Sequence, residues 1–132
     1  MDIVISVIGI VLLSPLFLYL SIFILIKDGR EIIVKQQRVG LHGKHFLMYK
    51  FRTMKNISFK NENLRLTKIG KIIRRLSFDE IPQFWNVIKG EMSIVGPRPE
   101  RPELENEINE RLPYWKCRYL LKPGLTGWAQ IR

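Results

Sequence analysis

Between Ile3 and Ile26 the chain runs through 24 consecutive residues without one charged side chain. As a helix rising about 1.5 Å per residue, such a run matches a hydrocarbon core of roughly 30 Å. It does not have the pattern of a cleaved signal peptide, since no basic stretch precedes it, it is too long, and no small-residue cleavage site follows Ile26. Lys27, Arg30, Lys35 and Arg38 come after it whereas only Met1 and Asp2 come before, so the positive-inside bias puts the carboxyl side in the cytoplasm. Ser14-Pro15 interrupts the run near its middle, where proline lacks an N–H and its ring crowds the carbonyl four residues earlier. Two arrangements satisfy these residues. One is a kinked helix that spans the bilayer. The other is a re-entrant helix that breaks at Ser14-Pro15 and returns to the cytoplasmic face, with the Ser14 hydroxyl taking up a freed carbonyl.

The rest of the chain is strongly basic. Residues 27–132 hold all 22 Lys and Arg but 11 of the 12 acids, a net +11. At 132 residues and 46% hydrophobic the chain has apolar surface for one small folded domain and is not a disordered polyelectrolyte. Its single cysteine, Cys117, excludes an internal disulfide and a multi-cysteine zinc site. Two β-rich runs, Glu31–Val39 and Lys44–Met54, flank Gly40-Leu41-His42-Gly43 and predict a hairpin with a four-residue loop. Alternation along the second run puts Phe46, Met48, Lys50, Arg52 and Met54 on one face, so two cations share it. Residues 56–63 are polar and predict a loop. Leu66, Ile69, Ile72, Ile73 and Leu76 then recur at helical spacing among Lys68, Lys71, Arg74 and Arg75, the pattern of a basic amphipathic helix lying over a core or along anionic headgroups. A short helix is expected over Ile81–Lys89, stopped by Gly90, with Trp85 in the core. Ser93-Ile94-Val95 leads into a stiff turn at Gly96-Pro97-Arg98-Pro99. An acidic surface helix is expected over Glu100–Glu110, and turns over residues 122–128. No internal repeat is present.

The densest chemistry lies in Ser77-Phe78-Asp79-Glu80-Ile81-Pro82-Gln83. Ser-x-x-Glu is a capping pattern, but a helix capped by Ser77 would need the N–H that Pro82 lacks, so Asp79 is the better N-cap. Ionised carboxylates in such a place cap a helix, bind Mg²⁺ or attack phosphorus. Arg98, steered to extended backbone by the proline that follows it, loses little entropy when it grips an anion, and its forked guanidinium suits phosphate. Lys50, Arg52, Arg74 and Arg75 add cations for a polyanion such as a diphosphate. His42 and His45 lack a third ligand, which argues against a metal there. No Walker A pattern, dinucleotide fingerprint or Ser/His/Asp arrangement occurs. Residue chemistry stops at a site for anionic substrates at a bilayer surface.

Longer strings extend this. Residues 35–40 (KQQRVG), 46–54 (FLMYKFRTM), 77–87 (SFDEIPQFWNV), 89–100 (KGEMSIVGPRPE) and 122–130 (KPGLTGWAQ) resemble, in order, the bacterial sugar transferase family of monotopic polyprenyl-phosphate phosphoglycosyl transferases. The resemblance implies an α+β fold with a re-entrant membrane helix over 1–26 and a cytoplasmic catalytic domain over 27–132. It implies transfer of a sugar 1-phosphate from a UDP-sugar to polyprenyl (undecaprenyl) phosphate, with release of UMP, at the start of surface glycan assembly. Asp79 would be the nucleophile of a covalent phosphosugar intermediate, Glu80 its acidic partner, and both would hold Mg²⁺. Lys50, Arg74 and Arg98 would bind phosphate, joined by Arg52 from its place on the Lys50 strand face, Pro97 and Pro99 would shape the loop, and Ser14-Pro15 would break the membrane helix. The implied place is the cytoplasmic face of a bacterial inner membrane. The partners would be the bilayer, both substrates and other glycan-assembly enzymes, with no nucleic acid among them. Two departures stand out: no basic residue precedes the helix, and family members generally continue past the Thr-Gly-Trp-Ala-Gln block, so the chain reads as short at its carboxyl end. A membrane-anchored basic module binding nucleic acid or anionic lipid is the reading that charge alone would support.

Overall fold

A computed structural model describes residues 1–28, 31–54 and 68–128, apart from the side chains of Lys27, Asp28, Lys68, Ile69 and Asn106. The expected loop over 56–63, Leu66, Arg30 and the Ala129-Gln130 end of the last motif lie outside the described residues. The fold mixes helix and sheet. Helix α1 (Asp2–Asp28) precedes a hairpin of β1 (Ile33–Val39) and β2 (His45–Phe51). After it come α2 (Lys68–Arg75), a 3-10 turn at Phe78–Glu80, and α3 (Gln83–Ile88). Strand β3 (Ser93–Val95), α4 (Pro102–Arg111), a 3-10 segment at Trp115–Leu120 and β4 (Gly124–Thr126) complete it.

Helix α1 is apolar on every side, yet it buries only one stripe. Ser6, Leu20 and Ile24 are buried, and Asp2, Gly9, Leu13 and Phe17 are half-buried, all on a three- and four-residue spacing that marks one helix face. Ile3, Val4, Val11, Leu12, Leu18 and Ile26 stand exposed elsewhere around it. The inner stripe meets the remainder of the protein at both ends. Near the start, the Ser93 hydroxyl donates to the Asp2 carboxylate at 2.7 Å, and a Cβ on Gly9 would press on the Phe84 ring at 3.1 Å. Near the other end, Leu20 and Ile24 pack with Phe51, Ile73 and Ile81, and the Phe17 and Phe51 rings lie 4.8 Å apart. Contrary to the expected break, the helix runs through Ser14-Pro15 as one element. The Ser14 hydroxyl donates to the Val11 carbonyl at 2.8 Å, which is the carbonyl that Pro15 leaves without a partner, as expected.

The hairpin is antiparallel, with Val34 opposite Lys50 and Val39 opposite His45. Its connection spans five residues rather than four, because a 3-10 turn with His42 at φ 55° and Gly43 at φ 74° needs the extra residue. Strand β2 feeds two cores. Phe46 and Met48 join Val87 and Met92, whereas Phe51, on the other face, joins the α1 cluster. Burying each such side chain stabilises the fold by about 1.5–3 kcal/mol. The free edge of β2 is closed by Asn86, which is fully buried in α3. Its amide oxygen accepts from the Tyr49 N–H at 3.1 Å and its nitrogen donates to the Leu47 carbonyl and to Glu91, each at 2.7 Å.

Several expectations are corrected. Trp85 is 53% exposed, because α3 turns Gln83, Asn86 and Val87 inward instead. The helix cap is Pro82 rather than Asp79, since residues 78–80 wind into a separate 3-10 turn that begins after Ser77 at φ 56°. On α2 the apolar stripe divides: Ile73 is buried while Ile72 and Leu76 are exposed. Residues 124–126, read as turns, form a strand parallel to β3, with Ser93 opposite Gly124 and Val95 opposite Thr126. The two segments touch there so closely that a Cβ on Gly96 would lie 2.8 Å from the Gly124 nitrogen.

Candidate active site

The elements converge on one open cleft of about 1100 Å³. The end of β2 brings Lys50, Arg52 and Thr53, α2 brings Arg74, the 3-10 turn brings Asp79 and Glu80, and the turn after β3 brings Arg98. Lys50, Arg52, Arg74 and Arg98 therefore face the same space, whereas Arg75, also expected to meet the polyanion, is exposed and does not line it. On one side the wall is apolar, made by Leu13 of α1 with Phe51, Phe78 and Phe84. The cleft thus presents cations and carboxylates beside a surface continuous with the apolar helix α1.

Asp79 is 8% exposed. Burial pushes its carboxyl above the usual aspartate range, Glu80 adds to that, and Lys50 and Arg74 pull it back down. Lys50, arriving on the Phe46–Met48 face of β2, donates to Glu80 at 3.0 Å, and neither side chain is more than 21% exposed. Arg74 donates to the Thr53 hydroxyl at 2.9 Å, which steadies its guanidinium. Arg52 is buried, with its Nε donating to the Met54 carbonyl at 3.3 Å and a looser pairing to Glu31 at 3.7 Å. Asp79 thus lies among cations that favour its ionised form while burial opposes it, a combination found where a carboxylate does chemistry.

The Pro97-Arg98-Pro99 turn is anchored by its backbone. The Pro97 carbonyl accepts from the Gly124 N–H at 2.9 Å, the Arg98 carbonyl accepts from Arg118, and the Glu100 carbonyl accepts from the Val39 N–H at 3.0 Å. Pro99 is buried and the Arg98 side chain is exposed to the cleft. Among the described residues, no group of three or more His, Cys, Asp and Glu comes together. The carboxylates that line the cleft are those of Asp79, Glu80 and Glu31, with Glu31 toward Arg52.

Comparison with known proteins gives this arrangement a family. The bacterial sugar transferase family matches residues 1–132. The chain belongs to the bacterial sugar transferase family. It is 39% identical over 99% of its length to a UDP-N-acetylgalactosamine-undecaprenyl-phosphate N-acetylgalactosaminephosphotransferase of Aeromonas hydrophila, of which it covers 33%. It is 37% identical over 98% of its length to a UDP-glucose:undecaprenyl-phosphate glucose-1-phosphate transferase of Escherichia coli, of which it covers 30%. An uncharacterized sugar transferase of Bacillus subtilis, EpsL, is 45% identical over 89% of this chain, which covers 59% of it.

Within this family member, residues not singled out from sequence also line the cleft. Arg38 and Gln36 from β1, Arg101 after the Pro-Arg-Pro turn, and Leu125 and Thr126 from β4 belong to its wall. Arg38 enters the sequence reading as a cation after the apolar run and as part of the KQQRVG string, with no role at the site. Its period-two relation to Gln36 is the signal that could have found it, since that spacing sets both on one strand face, and its Nη2 donates to the Gln36 amide oxygen at 3.0 Å. Burial, with Arg101 and Arg98 nearby, lowers the proton affinity of Arg38. Thr126 was out of reach of sequence reasoning, because only the β3–β4 pairing carries it to the site.

Proposed function

We propose that this chain carries the catalytic site of a phosphoglycosyl transferase, moving a sugar 1-phosphate from a UDP-sugar to undecaprenyl phosphate. The observation that carries the reading is the buried Asp79 carboxyl, flanked by Lys50, Glu80 and Arg74 in a cleft with one apolar wall. In the first step an oxygen of the Asp79 carboxylate attacks the sugar-bearing phosphorus. The bond from that phosphorus to the bridging oxygen breaks and UMP leaves with the electron pair. In the second step a phosphate oxygen of the lipid attacks the same phosphorus, the carboxylate leaves, and a diphosphate joins lipid to sugar. Dividing the transfer this way lets a water-soluble donor and a lipid acceptor use one site in turn.

Lys50 and Arg74 keep Asp79 ionised against its burial, and the ion pair with Glu80 fixes the Lys50 ammonium beside the reacting groups. Arg98, on its anchored turn, and Arg52 meet the phosphate oxygens. Asp79 and Glu80 suit Mg²⁺, which takes one or two protein carboxylates and completes its shell with phosphate and water oxygens. When bound, Mg²⁺ offsets the charge that develops as the nucleotide leaves.

The membrane reading follows from α1. A helix whose Asp2 end contacts Ser93 and whose Ile24 end packs on Phe51 and Ile81 has both ends against the same polar body. That favours a monotopic segment, with both ends on one side of the bilayer, over one whose ends lie on opposite sides. The exposed apolar flank of α1 would face lipid, residues 27–132 would sit on the cytoplasmic side of the inner membrane, and Leu13 would direct the prenyl chain from bilayer to cleft. The test is Mg²⁺-dependent UMP release from a panel of UDP-sugars with undecaprenyl phosphate in detergent. Release that requires the lipid supports the reading. No release with any sugar from the folded chain removes it.

A further inference from the structure

Two donors at the cleft have nothing to donate to. The Nε–H of Arg38 and the Nε2 amide of Gln83 are closed off from bulk solvent without a hydrogen-bond partner, and Gln83 as a residue is only 2% exposed. Buried donors in folded proteins are nearly always paired, so each such group calls for an acceptor. Both side chains line one small recess of about 20 Å³ that adjoins the main cleft and is also bounded by Lys50, Glu80 and Arg98. That is room for one oxygen atom, since a single water needs roughly 10–15 Å³ of this kind of space.

Charge decides what kind of oxygen. Arg38, Arg98 and Lys50 border the recess against one acid, Glu80, which is already held by Lys50 at 3.0 Å. Glu100, the acid that acts most on Arg38, has Arg118 at 3.9 Å. A neutral water would satisfy two donors but leave this excess of positive charge unanswered, whereas an anionic oxygen answers both. We infer that the recess is a phosphate-oxygen subsite in which Arg38 Nε–H and Gln83 Nε2 grip one non-bridging oxygen of a substrate phosphate beside Glu80. The inference rests on the transferase reading for the identity of the substrate. The site itself rests on the two unpaired donors and on the recess that Arg38 and Gln83 both line. A nucleotide phosphate and a lipid phosphate offer the same oxygen.

The test uses the full chain in detergent, with radiolabelled inorganic phosphate as the probe at fixed ionic strength. Wild type should bind phosphate saturably. Gln83→Met keeps the volume and removes the donor, and Arg38→Lys keeps the charge and removes the Nε–H, so each should weaken binding at least tenfold. The ligand-free melting temperature of Gln83→Met should equal or exceed that of wild type, because an unpaired buried amide has been removed. A purely structural Gln83 would give the reverse, a lower melting temperature with phosphate affinity intact. Should Gln83→Met fail to fold, Arg38→Lys decides. Competition with UMP and with farnesyl phosphate then separates the sources: the true one displaces phosphate from wild type and loses affinity in Gln83→Met. No saturable binding by wild type, or unchanged affinity in both variants, overturns the subsite. UMP release keeps the two claims apart. A wild type that releases UMP and a Gln83→Met that matches its kcat/KM sinks the subsite alone, while Gln83-dependent phosphate binding without UMP release sinks the transferase alone.

Discussion

Asn86→Ala tests how the fold holds the cleft together. The side chain it removes is fully buried and makes three hydrogen bonds, two of them to the backbone of β2 at Tyr49 and Leu47. Truncation leaves that N–H and that carbonyl without partners, at about 1–3 kcal/mol each. Glu91 is only half-buried and can turn to water, so its lost bond adds little. A central value of about 4 kcal/mol is a large share of the roughly 5–15 kcal/mol that holds a domain folded. It corresponds to a fall in Tm of roughly 12 °C for a chain of this size. The expected readout is that fall in thermal unfolding followed by near-ultraviolet circular dichroism in detergent. Turnover should fall with it even well below Tm, because α3 and the Lys50 end of β2 lose their tie. Asn86→Asp keeps the acceptor for Tyr49 but sets a second carboxylate against Glu91, so Glu91→Gln should recover part of the loss in the double variant. A Tm change under about 2 °C for Asn86→Ala, less than 1 kcal/mol on the same scale, would refute the claim that these bonds hold α3 to the hairpin.

Further outcomes follow from the same geometry. Asp79→Asn should stabilise the protein at neutral pH: the folded carboxyl binds its proton more tightly than the unfolded one, so wild-type stability falls as pH rises from the unfolded value through the folded one. Melting curves of the two forms should converge in acid and separate above that window; parallel curves would contradict the burial of Asp79. Lys50→Met removes a cation that lowers the Asp79 pKa, so the acid limb of any residual pH–rate profile should move to higher pH, and an unmoved limb would detach Lys50 from Asp79. Gly124→Ala would bring a Cβ to 2.6 Å from the Gly96 Cα and part β3 from β4, which should cost several kcal/mol and show as loss of soluble folded protein. At Gly43 the space is open, and only the positive φ opposes alanine, at about 1 kcal/mol.

Much of the site could be read from the sequence because its parts are local. Alternation along β2 put Lys50 on the Phe46–Met48 face, and that face points at Glu80. Two prolines flagged Arg98, and Ser14 stood next to the one residue that would free a carbonyl for it. Other features depend on contacts between distant segments. A three-residue strand such as β4 has no period to detect, so its parallel pairing with β3, and the arrival of Thr126 at the cleft, left no local trace. Helix α1 is apolar all round, and nothing in its hydrophobic pattern says which face is buried; Ser6 and Gly9 are small residues on the packed side, but Ser14 is equally small and exposed. Trp85 was misplaced for the opposite reason. On a helix of six residues the choice of buried face is made by the hydrogen bonds of Asn86 to β2, and these outweigh the apolar area of one indole.

The central claim is that Asp79 attacks phosphorus. Incubating the chain with a UDP-sugar labelled in its β-phosphate, with Mg²⁺ and without any lipid acceptor, isolates that step. The account predicts that label stays on the protein, maps by mass spectrometry to the peptide bearing Asp79, is absent in Asp79→Asn, and is discharged by undecaprenyl phosphate. UMP released only when the lipid is present, with no label on the protein, would contradict it.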